Sequence, residues 1–206
     1  MRFPTTVTAL LAAAACAPKH TYPDGSGLEG QLEREVIALH ETISRLEAES
    51  ACNGGQTDAL YADLNQILPG RQVELSAQGN ATFVVLPDAL VFGSDLLSIR
   101  DEARMTLDML ATALNRYPRY TLVVEGHTAD QMPDAWLSTL YPTLWDLSFA
   151  RASAIKNTLV DQFHVDEHRF TVAARADTVP LASNDTAAGQ TRNRRVVITI
   201  RPTQAQ

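Results

Sequence analysis

From Gln72 onward the spacing of apolar residues switches repeatedly between a period of two and a period near 3.6, and that alternation restricts the fold more than any other feature. "QVELSA" and "ATFVVLP" flank a "QGN" turn and read as a hairpin. "SIRDEARMTLDMLATALNRYP" then takes helical spacing. Ile99, Ala103, Leu107, Leu110 and Leu114 share one face, Ser98 stands as the cap with Asp101 behind it, and Pro118 as the stop. "YTLVVEG" is a short apolar strand. "DLSFARASAIKNTLVDQF" returns to the helical period, with Leu147, Ala150, Ala154, Leu159 and Phe163 roughly on one side. "RFTVAAR" and "RRVVITIR" are strands; in the second, Val196, Ile198 and Ile200 alternate with Val197, Thr199 and Arg201. The order β-β-α-β-α-β-loop-β predicts an α+β two-layer sandwich, a mixed sheet with two helices on one face. Loops near residues 92–95 and 127–146 converge at one edge of that sheet, beside Arg151.

The segment before Gln72 has a different texture. "MRFPTTVTALLAAAACAPKH" opens with Arg2 and an apolar run from Val7 to Ala15, too short for the roughly 20 residues a bilayer span needs. It has the length of a signal-peptide core, and small residues lead to Cys16. Small residues before a Cys resemble the bacterial lipobox, although Ala13 stands where that motif usually has Leu. The resemblance implies a leader over 1–15 and acylation of Cys16. With Ala17 rather than Asp after the Cys, it implies sorting to the outer membrane. The same run also reads as an ordinary secretory peptide cut near Ala15. Several acyl chains at about 0.8 kcal/mol per buried methylene would make such an anchor permanent. Cys52 is then the one thiol left, in a "SACNGG" loop, either unpaired or paired between molecules.

Residues 17–27 are rich in Pro, Gly and polar residues and read as a linker. Over residues 28–49, Leu32, Val36, Leu39, Ile43 and Leu46 follow a heptad spacing flanked by Glu and Arg. This is either a dimer seam or a stalk helix that packs on its own domain. "TDALYADLNQIL" reads as a further short helix capped by Thr57 or Asp58. The expected organisation is a leader over 1–15, an anchor, linker and helical stalk over 16–71, a domain over 72–202 and a tail over 203–206.

Hydrophobic residues make up 45% of the 206 and charged residues 20%, enough for a packed core. A net charge of −7 and the lack of a basic run argue against a nucleic-acid partner. No Ser–His–Asp or Cys–His arrangement is suggested locally, so no enzyme activity, cofactor or metal site is expected. His164 and His168 have helical zinc spacing but fall in a helix-to-strand turn. Trp136, Tyr141 and Trp145 are read as cover for the sheet edge, with a glycan or partner surface as the alternative.

Arg151 is the residue with unusual chemistry. Placed in the first turn of its helix, a cation sits at the positive end of the macrodipole, at a cost of up to about 1 kcal/mol unless an anion joins it. An anion there gains the dipole, the open N–H groups and the guanidinium together. The alternative is an arginine paired to Asp146 or Asp130 that holds the loop.

"VEGHT", "WDLSFARA" and "SNDTAAGQTRNRRVVITI", with "LPDALVFGSDLL" ahead of them, resemble in order the signature blocks of the OmpA-like C-terminal domain family. Trp145 and the long loop before it are more similar to the subgroup that anchors the flagellar stator. The resemblance covers about residues 72–202. It implies non-covalent binding of peptidoglycan at the diaminopimelate of its stem peptides, an ammonium and a carboxylate on one carbon. A guanidinium grips such a carboxylate through two parallel hydrogen bonds, and an acid must face the ammonium. By the family's "LSxxRA" block the guanidinium is Arg151. By its Gly-His-Thr-Asp block the acid is Asp130, one residue late here because Ala129 follows Thr128; Asp134 and Asp146 are the fallback acids. Thr128 and Arg194 border the same site by resemblance, Arg194 with a structural salt bridge as its other reading. The family usually has Gly where Ala174 and Ala176 stand, which is read as a local change of backbone.

The expectation is therefore an outer-membrane lipoprotein whose domain faces the periplasm and clasps the wall without catalysis. The alternative is a wall-anchored structural subunit of a larger envelope assembly for secretion or motility, with an envelope protein or a second copy as partner through residues 28–49.

Overall fold

The computed structural model of the chain describes residues 35–45, 59–68, 73–93, 98–131 and 135–203. The expected leader, Cys16, the linker, Leu32, Leu46, Cys52, Thr57, Asp58 and Asp134 lie outside them. The chain divides into two compact units, Met1–Glu47 and Ala48–Gln206. In the first, residues 35–45 form helix α1, and each of them is exposed.

In the second unit, α2 (residues 59–67) is followed by strands β1 (Glu74–Gln78) and β2 (Ala81–Pro87). Next come a short helix α3 (Asp88–Val91), the long α4 (Asp101–Arg116) and β3 (Tyr120–His127). Helices α5 (Ala135–Leu140) and α6 (Leu144–Asp161) precede a 3-10 turn (Glu167–Arg169) and β4 (Phe170–Ala176). Finally α7 (Ala187–Asn193) leads into β5 (Arg195–Pro202). The sheet order is β1-β2-β5-β3-β4. Among the described residues β3 and β4 run parallel, joined by the α6 crossover, and the other strand pairings are antiparallel. The mixed α+β sheet expected from the apolar periods is thus present. Gly79, at φ +59°, makes the turn of the β1–β2 hairpin.

The core runs along the alternation read in the strands: Val84 and Leu86 from β2, Leu122 and Val124 from β3, and Val196, Ile198 and Ile200 from β5 are all buried. α4 covers them with Ala103, Leu107, Leu110 and Leu114. That helix begins at Asp101 with Arg100, not Ser98, at its cap. Leu60, Leu64 and Leu68 are buried in the same cluster. The helix expected as part of the stalk therefore packs into the domain, and the domain begins before residue 72.

Arg169 fastens three elements. Its Nε donates to the Tyr120 carbonyl at 2.8 Å, and its Nη atoms donate to the Leu114 and Tyr117 carbonyls at 2.9 Å each. A buried guanidinium thereby satisfies carbonyls at the C-terminal end of α4, where a cation is electrostatically favoured. It also ties that end to the start of β3.

Candidate functional site

Strand register gathers the site at one end of the sheet. Pro87 of β2 lies opposite Arg195 of β5, which lies opposite His127 of β3. The Asp88 N–H donates to the Arg194 carbonyl at 3.0 Å, and the Thr128 N–H to the Ala176 carbonyl at 2.8 Å. The ends of β2, β3 and β4 and the start of β5 thus bring Asp88, His127, Thr128, Ala176 and Arg194 together.

α6 brings Arg151 to this end. The helix begins at Leu144 because Thr143 and Asp146 form a reciprocal capping box: the Asp146 N–H donates to Thr143 Oγ1, and Asp146 Oδ2 accepts from the Thr143 N–H. Arg151 therefore lies about two turns inside the helix, not in its first turn as expected. A macrodipole effect fades within that first turn, so it does not explain the residue. The buried stripe of α6 is Leu147, Ser148, Arg151, Ala152, Ile155, Thr158 and Leu159. The expected stripe, which counted Ala150 and Ala154, is rotated from this one because Arg151 takes a core position.

Leu147, Ser148 and Arg151 of "LSFARA" each have a physical duty in this position. Leu147 is core. Ser148 Oγ accepts from the Ala176 N–H at 3.2 Å and donates to the Trp145 carbonyl. The helix backbone lies so close to β3 at Gly126 that a Cβ there would stand 1.9 Å from the Ser148 carbonyl oxygen. Arg151 follows one turn later, 1% exposed.

The Arg151 guanidinium meets Asp88, Nη2 to Oδ2 at 3.2 Å, and lies 5.7 Å from the centroid of the Phe92 ring. Phe92 is held by an antiparallel bridge to Ile99, with Gly93 N–H donating to the Ser98 carbonyl. Burial pushes the Asp88 carboxyl up, against the pull of Arg151 and Arg194. Burial draws Arg151 below its ordinary range, but a guanidinium stays charged at physiological pH. Arg194 acts on both members of the pair. Asp88 is the site residue the sequence reading missed. Its signal was an acid directly after the proline that closes an apolar strand, in the "LPDALVF" block itself.

The other expected residues are placed as follows. Thr128 is buried, held by its backbone bond to Ala176. Arg194 is half-buried, and its Nη2 donates to Thr191 Oγ1 at 3.2 Å. Asp130 is exposed on the loop after β3. Asp146, a fallback acid and one reading of the partner of Arg151, is occupied by its capping box. Ala176 has φ +47°. The alanine there bears the strain of a left-handed conformation, about 1–2 kcal/mol. Asn193, fully buried, accepts from the Leu181 and Ala182 N–H groups and donates to the Ala182 carbonyl and Asn184 Oδ1, which shapes the loop before α7. Trp136, Leu140, Trp145 and Phe149 are large apolar side chains left exposed on α5 and α6. The reading of the two tryptophans as cover for the sheet is not met.

His127, buried at the end of β3, has its pKa lowered to about 4, first by desolvation and then by Arg195 and Arg175. Arg151, Arg175, Arg194 and Arg195 gather at this end of the sheet, with Asp88 against Arg151 and Glu125 against Arg175.

Residues 91–194, from the last turn of α3 to the residue before β5, match the profile of the OmpA family. This chain belongs to the OmpA family. Among curated OmpA-family relatives, it is 33% identical over 109 residues to outer membrane protein Omp38 of Acinetobacter baumannii, a match that covers 53% of this chain. The matched part is only 29% of the length of Omp38. It is 30% identical to the peptidoglycan-associated lipoprotein of Mesorhizobium japonicum, over 74% of this chain and 85% of that one. Among solved structures, the cell wall anchor of the T6SS from Pseudomonas aeruginosa superposes with a TM-score of 0.60 at 32% identity, covering 68% of this chain and 96% of that one.

Proposed function

We propose that this chain is a non-catalytic, peptidoglycan-binding lipoprotein that ties the outer membrane to the cell wall. Cys16 carries the acyl anchor, the segment before the domain spans the gap, and the domain, facing the periplasm, takes the diaminopimelate end of stem peptides. The observation that carries the reading is the Asp88–Arg151 pair at the mouth of the sheet, with a second guanidinium, Arg194, in electrostatic reach of both. Arg194 attracts the ligand carboxylate, with Arg151, buried and paired to Asp88, holding the end of the sheet behind it; the exposed Asp130 faces the ammonium; Thr128 fixes the floor. The relatives include a peptidoglycan-associated lipoprotein and a cell wall anchor, which supports the same reading.

Asp130 gives the cleaner mutational test, because an exposed carboxylate is removed without disturbing the core. Asp130→Asn weakens co-sedimentation with purified sacculi by about tenfold or more, the worth of one charged hydrogen bond, while thermal unfolding is unchanged. Full retention on sacculi by the folded variant would refute the role of this residue.

A second reading, a structural subunit of a larger envelope assembly, draws on the exposed Trp136, Leu140, Trp145 and Phe149. Exposed aromatic surface marks contact with a partner. Recovery of one stable protein partner from envelope extracts, lost in Trp136→Ser and Trp145→Ser, would favour it over simple tethering.

A further inference from the structure

We infer that α1 is one strand of a parallel, in-register two-stranded coiled coil, and that its partner is a second copy of this chain. Val36, Leu39 and Ile43 are 53%, 60% and 49% exposed, on a helix whose described residues all face solvent. An isolated helix of this length is marginal in water without a partner face. The seam places Val36 and Ile43 at the a positions and Leu39 at d, and the sequence continues the pattern to Leu32 and Leu46 at d. β-Branched residues at a with leucine at d favour two parallel strands over higher states.

Charge selects the occupant and its direction. In a parallel pair, each g position faces the e position five residues on in the other helix. Glu35 then faces His40, and Thr42 faces Glu47, so no two carboxylates meet. An antiparallel pair sets a against d and leaves one of the five seam residues over. One of its two registers also brings Glu35 against Glu49 and Glu33 against Glu47. Glu41 and Arg45, four apart on the outer face, support the helix within each chain. Two copies joined here would carry two domains on one stem, and linked sites raise retention on a polymer without any new contact.

Position-specific disulfide trapping tests this in the full chain, in its own envelope, against a Cys52→Ser parent. Val36→Cys at a should give a covalent dimer on mild oxidation, reversed by reductant, in excess of the parent. Glu41→Cys, on the outer face, should not. Adding Leu39→Asp to Val36→Cys should abolish the cross-link and leave co-sedimentation with sacculi per domain in place, which separates this inference from the wall-binding one. A Val36→Cys chain that stays monomeric, or that cross-links no faster than Glu41→Cys, overturns it.

Discussion

An arginine in the middle of a core stripe is stable only with its charge answered, and here Asp88 answers it. Removal of one partner leaves the other as an uncompensated buried charge. Arg151→Ala should therefore destabilise the domain by about 3–5 kcal/mol, read by urea denaturation. Asp88→Asn combined with Arg151→Met should recover much of that loss, because the pair couples; additive losses would show that the two do not act together. A loss of wall binding in Arg151→Ala alone is thus not evidence of ligand contact. His127 adds a pH signature. Its folded pKa of about 4 lies below its ordinary 6.5, so between those values the unfolded chain takes up a proton that the folded one refuses. Stability then falls as pH drops from about 6.5 toward 4, by on the order of 2 kcal/mol after allowance for screening, and levels off below that. His127→Gln should flatten that slope in thermal melts across the same range.

At the scale of elements, α6 and β3 set the site. Gly126→Ala would press a methyl group against the Ser148 carbonyl, with no side chain that can yield. It should cost about 3 kcal/mol or more, seen as a fall in the denaturation midpoint, and should pull Arg151 away from Asp88. This region also shows where sequence reading works and where it stops. The hairpin, the β5 alternation and most of the inner face of α4 were legible, because burial there follows apolar period alone. The roll of α6 was not, because a charged residue occupies a core position, and its pairing with Asp88 is a contact distant in sequence. The start of α6 was readable from Thr143 and Asp146 but was placed too late, which turned an internal ion pair into an apparent dipole effect. Helices α5 and α7 are too short to show a period. Ala176 keeps a left-handed backbone without the glycine that signals it.

For the molecule as a whole, the net charge is −7. An acidic protein gains little from non-specific attraction to an anionic polymer, so the proposed retention on the wall calls for a defined site. The four family blocks were legible in order, and with them the family; the acid beneath Arg151 was not, since it lies in the opening block, far from the arginine in sequence. The most direct measurement is calorimetric titration of the folded domain with a stem peptide that ends in free diaminopimelate, and with the same peptide amidated at that carboxylate. The account predicts that the free acid binds and the amide loses at least tenfold, about 1.4 kcal/mol, as a guanidinium loses its anion. Equal affinity for the two peptides, or none for either, would contradict it.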